Sequence, residues 1–235
     1  MTKWGESGYD IVRDEDEENS LVPPLLNEVD IAFRETIVNG SLFNDPWSIY
    51  REVPSVAVDE AWDEISEIGF FPISGNDVKR LGKDPSQTVR IPEAWGYGAD
   101  KYLAQLDGQH AIHCLNALRK YSHYDYYYRE KWGDDIPPLH VAHRSHCVSI
   151  LLQALTCQPS VNVITHDWME TQENPFPDFN IKRQCHDHGA ILDWQKKISI
   201  DKEVFATIRK PSGVRTVPAL PQLLELDRLL EEASS

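Results

Sequence analysis

The sequence predicts a mainly α-helical protein with minor β structure and a metal site between two paired central helices. Three observations lead there. The pattern His-x-x-His-Cys occurs twice, at His110, His113 and Cys114 and again at His143, His146 and Cys147. Both copies open apolar runs with helical spacing that continue in register, Leu115 matching Val148, Ala117 matching Ile150 and Leu118 matching Leu151. Elsewhere Gly and Pro punctuate the chain closely enough to leave room only for short strands.

Composition narrows the classes of function. A chain of 235 residues is long enough to bury a core of its own. Its net charge of −15 excludes a nucleic-acid binder, which needs a basic footprint. No apolar run approaches the roughly 18–20 residues of a membrane helix, and the polar N-terminus carries no basic-then-apolar signal segment. The chain as read is therefore expected to be soluble.

Taken in order, residues 1–30 form an acidic arm around Asp14-Glu15-Asp16-Glu17-Glu18, expected to be solvated and flexible. Residues 31–235 read as a single domain. Phe33, Ile37, Phe43, Trp47 and Tyr50 suggest an extended segment pinned to the body by large aromatics. Val58 to Ile68 has helical spacing through Ala61, Trp62 and Ile65, with Asp59 and Glu60 near its start. Loops with short strands fill residues 69–100, and a brief strand is expected at Lys101–Leu106.

The first motif helix is expected from Asp107, as N-cap, to about Arg129, with five tyrosines packing around its far end. Gly133 to Pro138 breaks it, and the paired prolines suit the opening of the next helix, expected from about Leu139 to Cys157. Ser160–Thr165 alternates like a short strand, Cys185 to Lys197 like a helix, and Leu223–Leu230 like an amphipathic helix.

The chemistry follows from the doubled motif. Positions i, i+3 and i+4 share one helix face, so two such helices packed together bring four imidazoles to one spot. Imidazoles suit zinc, copper, nickel or iron, and a thiolate favours zinc or cuprous copper. The spacing lacks the carboxylate base of His-Glu-x-x-His, and no Cys-x-x-Cys marks a zinc ribbon. A redox metal held by His110, His113, His143 and His146 is the attractive reading, with open positions for dioxygen and substrate. Cys114 and Cys147 are either further ligands or a disulfide across the helix pair. Cys157 and Cys185 remain as a second expected disulfide, which would imply an oxidising compartment. His123, His140, His166, His186 and His188 fit surface or capping roles better. Asp187 is the carboxylate best placed in sequence to support a ligating imidazole.

The doubled motif is the hallmark of the UstYa-like family of fungal secondary-metabolite (mycotoxin) oxidases, which this sequence resembles from about Val58 to Trp194. Val58-Asp59-Glu60-Ala61-Trp62, the run from His110 to Arg119, Cys157, and Cys185-His186-Asp187 with Trp194 carry the likeness beside the motifs. The resemblance implies a copper-dependent oxidoreductase, with one or two ions and dioxygen as oxidant. Its reaction would be C–H functionalisation, such as oxidative cyclisation of a ribosomally made peptide. Halogenation or hydroxylation of a small metabolite, or service as a metal-binding accessory subunit, are the alternatives. The implied partners are a peptide or small-molecule natural product and a second family member in a homo- or heterodimer. The implied setting is a secretory lumen, reached free or through a membrane anchor absent from this chain. Trp95, Tyr97 and Tyr124 are the aromatics suggested for the pocket.

Overall fold

The structure, a computed structural model, describes Val29, residues 33–221, 223–225 and 227–228. The acidic run at residues 14–18 lies outside these, as does the end of the expected C-terminal helix at 229–230. The helices are α1 (Val56–Ser66), α2 (Gly75–Arg80), α3 (Asp107–Ser122), α4 (Tyr124–Tyr127), α5 (Arg129–Trp132), α6 (Pro138–Cys157), α7 (His188–Ile198) and α8 (Lys202–Ala206). Among the described residues, six short strands make three antiparallel pairs: β1 (Arg34–Ile37) with β6 (Lys182–Cys185), β2 (Phe71–Ser74) with β3 (Lys101–Ala104), and β4 (Thr165–Asp167) with β5 (Phe176–Asp178). This is the mostly helical architecture with minor β that the sequence predicts. No helix among the described residues is long and apolar enough to cross a membrane.

The core gathers on β2, whose alternation turns Phe71 and Ile73 inward against Val78 of α2 and Tyr102 of β3. Trp194 of α7 closes the cluster, its ring edge-on to Phe71 at 5.2 Å. The six residues of α2 are too few for a helical period to be read in the sequence, but its capping box is complete. Ser74 Oγ accepts from the Asp77 amide, and the Asp77 carboxylate accepts from the Ser74 amide. A Cβ on Gly75 would stand 2.7 Å from Asp100 Oδ1, so a larger residue there would displace the carboxylate that accepts from the Gly75 amide.

The boundaries of the motif helices differ from expectation at one end. Asp107 is the first helical residue, and the cap position is Leu106, with no side-chain cap. α3 stops at Ser122 instead of near Arg129, where His123 leaves helical geometry with φ −112° and ψ 46°. The tyrosines beyond it turn back toward α1, and Tyr127 donates a hydrogen bond to Asp59 at 2.5 Å. α6 opens with Pro138 in its first turn and ends at Cys157, within one residue of expectation.

Three other expectations are corrected. Of the aromatics expected to pin the first segment, Phe33 stacks on His186 at 4.0 Å and Tyr50 lies edge-on to Trp62 at 5.6 Å, whereas Phe43 and Trp47 are mostly exposed. Within the segment, the Arg51 guanidinium donates to the carbonyls of Ser41, Leu42 and Phe43 at 2.8–2.9 Å. Only Thr165 of Ser160–Thr165 is in a strand, and Val161 and Val163 alternate without a partner sheet beneath them. In the region 185–197, Asp187 caps α7 by accepting from the Ala190 amide, and His188 opens the helix.

One polar cluster fastens α1 to α3. Arg119 pairs with Asp59 at 2.7 Å, donates to the Tyr127 hydroxyl at 2.8 Å and lies over the Trp62 ring. One turn earlier, Asn116 is buried and donates to Ser66 at 2.8 Å and to Asp63 at 3.2 Å. Asp59-Glu60-Ala61-Trp62 thus supplies two of the groups that grip Arg119.

Burial pushes the Asp59 carboxyl up, but the Tyr127 hydroxyl and the Arg119 guanidinium more than offset it and hold it below the usual carboxylate range. Asp59→Asn is expected to cost about 1–3 kcal/mol near neutral pH, read from urea unfolding. Because the folded value lies below the unfolded one, this contribution is complete above about pH 4 and fades as pH falls through the folded value. The two proteins should therefore converge in stability on acidification.

Candidate metal centre

α3 packs chiefly on α6, and the pairing of their histidines shows that the two helices run antiparallel. His110 faces His146 with ring centroids 5.5 Å apart, and His113 faces His143 at 6.0 Å. Along each helix the two rings are 6.4 Å apart, the i, i+3 neighbour relation. The four imidazoles form a closed quadrilateral, as the doubled motif predicts. Beneath it lie Cys114 and Cys147, both fully buried at the helix contact. Cys114 Sγ is 3.8 Å from His110 Nε2, and Cys147 Sγ is 3.7 Å from His143 Nε2. An approximate twofold axis between the helices therefore relates the two copies.

The electrostatics favour neutral donors. Burial, then the neighbouring imidazoles of His143 and His110, hold His113 below the usual imidazole range. Burial, then His146 and His110, do the same for His143. Burial pushes the Cys147 thiol up to about 12, helped by the neighbouring Cys114.

These residues suit a first-row ion. The ligand atoms of His110, Cys114 and His146 lie within 4.8 Å of one another. Nitrogen and sulfur ligands sit about 2.0–2.3 Å from such an ion, so small side-chain rotations close this trio on one centre. His113 and His143 complete an imidazole-rich donor set that selects among zinc, copper, nickel and iron and against calcium or magnesium.

Beside the quadrilateral is a cavity of about 560 Å³ between α1, α3 and α6, lined by His113, His143, Ala117, Tyr121, Tyr128 and His140 among others. Sequence reasoning undervalued His140. Its Nδ1 lies 3.2 Å from the Tyr121 hydroxyl, which donates to the His140 carbonyl at 2.9 Å. Its spacing of i−3 from His143 was the signal. The aromatics suggested for the pocket lie elsewhere: Tyr97 lines a different cavity with Phe205 and Lys202, the Tyr124 hydroxyl donates to the Gly133 carbonyl, and Trp95 belongs to a 3-10 turn.

The remaining candidates are placed by other contacts. His186 stacks on Phe33 at 4.0 Å, and His188 Nε2 lies 3.4 Å from Gln109 Oε1. His123 and His166 are exposed. Asp187, expected to support an imidazole, is occupied with capping α7. All four cysteines are free thiols. Cys114 and Cys147 are two free, buried thiols and not a disulfide. The bridge expected between Cys157 and Cys185 is not formed: Cys157 is exposed on the last turn of α6, and Cys185 ends a strand paired to β1 through Arg34.

The family model described as mycotoxin biosynthesis protein UstYa matches residues 11–198. The UstYa family oxidase aprY of Aspergillus flavus is 39% identical over 203 residues, covering 83% of this chain and 61% of its own length. The UstYa family oxidase phomYc of Diaporthe leptostromiformis is 26% identical, covering 73% of this chain and 66% of its own length. The chlorinase cctP2 of Talaromyces islandicus is 29% identical over 60% of this chain and 41% of its own. The chain thus spans less than two thirds of the length of these relatives. No solved structure matches it significantly.

With His113 and His143 both held below the usual imidazole range, the unfolded chain binds more protons than the folded one on the acid side. The metal-free protein should therefore lose melting temperature steadily from about pH 7 to about pH 5, and His143→Gln should remove part of that slope. Cys157→Ser should shift stability by no more than about 0.5 kcal/mol, as at other exposed positions. A loss of about 2–5 kcal/mol would instead reveal a bridge.

Proposed function

From the premise that the chain belongs to the UstYa family, we propose that it is a copper-dependent oxidase of fungal secondary metabolism. The observation that carries this reading is the quadrilateral of four imidazoles over two buried thiols, opening on a cavity. His110, His113, His143 and His146 are the candidate ligand set, with Cys114 the sulfur that groups with His110 and His146. Copper, when bound, supplies one-electron redox chemistry with dioxygen as oxidant.

The protein's own residues do the rest. The Cys114–Cys147 contact keeps the helices close and the rings facing one another. Burial keeps His113 and His143 uncharged, so they can coordinate or accept a proton without first losing one. Ala117, Tyr121 and Tyr128 wall off the cavity and hold a reacting carbon beside the imidazoles. The reaction we infer is C–H functionalisation of a natural product, with oxidative cyclisation of a ribosomally made peptide as the first candidate. Halogenation is the second reading, and the likeness to a chlorinase supports it. Pairing with another family member is a further part of the proposal, and the exposed apolar residues of α6, Val148, Leu152 and Leu155, support it.

The test is reconstitution of the purified protein with copper and a one-electron reductant, with and without chloride. Dioxygen uptake coupled to a new ring (loss of two hydrogens) is the expected result with a peptide substrate. A product in which chlorine replaces hydrogen selects the second reading. Absence of stoichiometric copper after loading overturns both.

A further inference from the structure

We propose that the protein has a second binding site, separate from the histidines, for the C-terminal end of a peptide whose last residue is apolar. The site is a cavity of about 750 Å³ between residues 85–92 and residues 205–217, lined also by Tyr102 and Leu103 of β3. Among the described residues it shares no lining residue with the cavity beside His113 and His143. It stands independently of the copper reading.

Local structure builds the two walls. The Leu103 amide donates to the Val89 carbonyl and the Ile91 amide to the Lys101 carbonyl, both at 2.9 Å. Residues 89–91 therefore lie along β3 on the edge away from β2. Arg90 stands opposite Tyr102 there, and opposed residues turn their side chains to the same face. The other wall follows α8. Gly213, with φ 73°, supplies a turn that a residue with a Cβ would make only under strain. Beyond it, Arg215 reaches Ser86 Oγ at 3.3 Å and Asp84 at 3.5 Å, tying the second wall to the first.

Three features of the lining define the ligand. One is apolar surface: Val89, Val214 and Val217 line the cavity yet remain 52%, 44% and 65% exposed, and covering such surface is favourable. Another is charge. Arg90, Arg209, Lys210 and Arg215 line the cavity and no Asp or Glu does, in a chain whose net charge is −15. Arg90 and Arg215 have carboxylate neighbours outside the lining, Glu93 at 3.4 Å and Asp84 at 3.5 Å. Arg209 and Lys210 have no ion pair among the described residues, and the Arg209 guanidinium donates to the carbonyls of Ala206 and Ile208. The last feature is a neutral donor. Tyr102 is 8% exposed, with its ring in the core cluster of Phe71 and Ile73. Its hydroxyl makes no hydrogen bond among the described residues, although the residue lines the cavity. An unpaired hydroxyl on so buried a residue is a place for a ligand's acceptor.

An apolar wall, one neutral donor and unpaired cations match an apolar side chain, an amide carbonyl and a terminal carboxylate. The last residue of a peptide carries all three, and capture of a terminal carboxylate is a recurring recognition mode. Arg209 and Lys210 take the carboxylate through charge-assisted hydrogen bonds, and the Tyr102 hydroxyl donates to the carbonyl. The volume lies within the range of about 300–1,000 Å³ for small-ligand sites.

The experiment titrates the full chain, by ligand-observed NMR, with three probes: acetyl-Val-Leu with a free carboxylate, the same dipeptide as its C-terminal amide, and octanoate. The free acid should bind, and the amide should bind about tenfold more weakly or worse. Arg209→Gln combined with Lys210→Gln should weaken the free acid about tenfold and leave the amide unchanged. Tyr102→Phe should weaken both dipeptides about fivefold and leave octanoate unchanged. Thermal melts verify the fold, and the exposed Arg209 and Lys210 keep the test decisive if Tyr102→Phe unfolds. Equal binding of acid and amide overturns the carboxylate assignment. Octanoate binding as tightly as the acid dipeptide overturns the peptide assignment in favour of a free organic acid. No saturable binding of any probe overturns the site, and none of these readings involves copper.

Discussion

The closeness of α3 and α6 governs everything else in this molecule. Two cysteines sit at their contact, both fully buried, and their small side chains let the helix backbones approach. A bulkier pair would push the helices apart, and the imidazoles flanking it would no longer face one another within 5.5–6.0 Å. Small residues at a helix contact act as spacers set to a minimum, and interiors close-packed at native density cannot absorb an extra methylene without displacing something. The thiols therefore matter to the centre geometrically before any question of ligation arises.

The helix pair is held in turn by α1. Arg119 and Asn116 project from α3 to Asp59, Asp63 and Ser66, so the first motif helix is fixed on both sides: by α6 through thiols and rings, and by α1 through a charged and amide network. The cavity is the space left where these three helices diverge. Its position follows from the polar residues of α1, which fasten α3 one turn beyond His113 and leave the region around Ala117 open. Fold and site are in this sense one construction.

The motif, the helical class and the convergence of four histidines were legible because two copies of one short pattern, continued in register, admit few other arrangements. The antiparallel sense of the helices was not, since a motif of five residues carries no direction for its partner. The limits of α6 were legible too, since Pro137-Pro138 and Pro159 bracket it. What could not be read depended on tertiary contacts between segments far apart in sequence. α3 ends early because Tyr127 finds Asp59, 68 residues away. Asp187 looked like support for an imidazole and proved to be a cap, a choice between two uses of one carboxylate that local sequence does not decide. The exposed Phe43 and Trp47 and the unpaired Val161 and Val163 show the converse error: apolar spacing implies burial only where another element lies opposite.

The later turns of α6 stand apart from this scheme. Of its twenty residues only Cys147 is buried, and Leu155 near its end is 71% exposed. Its backbone amides beyond the crossing are shielded by the helix's own hydrogen bonds and little else. Deuterium should therefore enter the turns from Val148 to Cys157 by local fraying, long before it reaches the amides around Cys114. The histidine-bearing turns are the protected root of a helix whose tip opens freely, and the centre keeps its shape while the end of the same element does not.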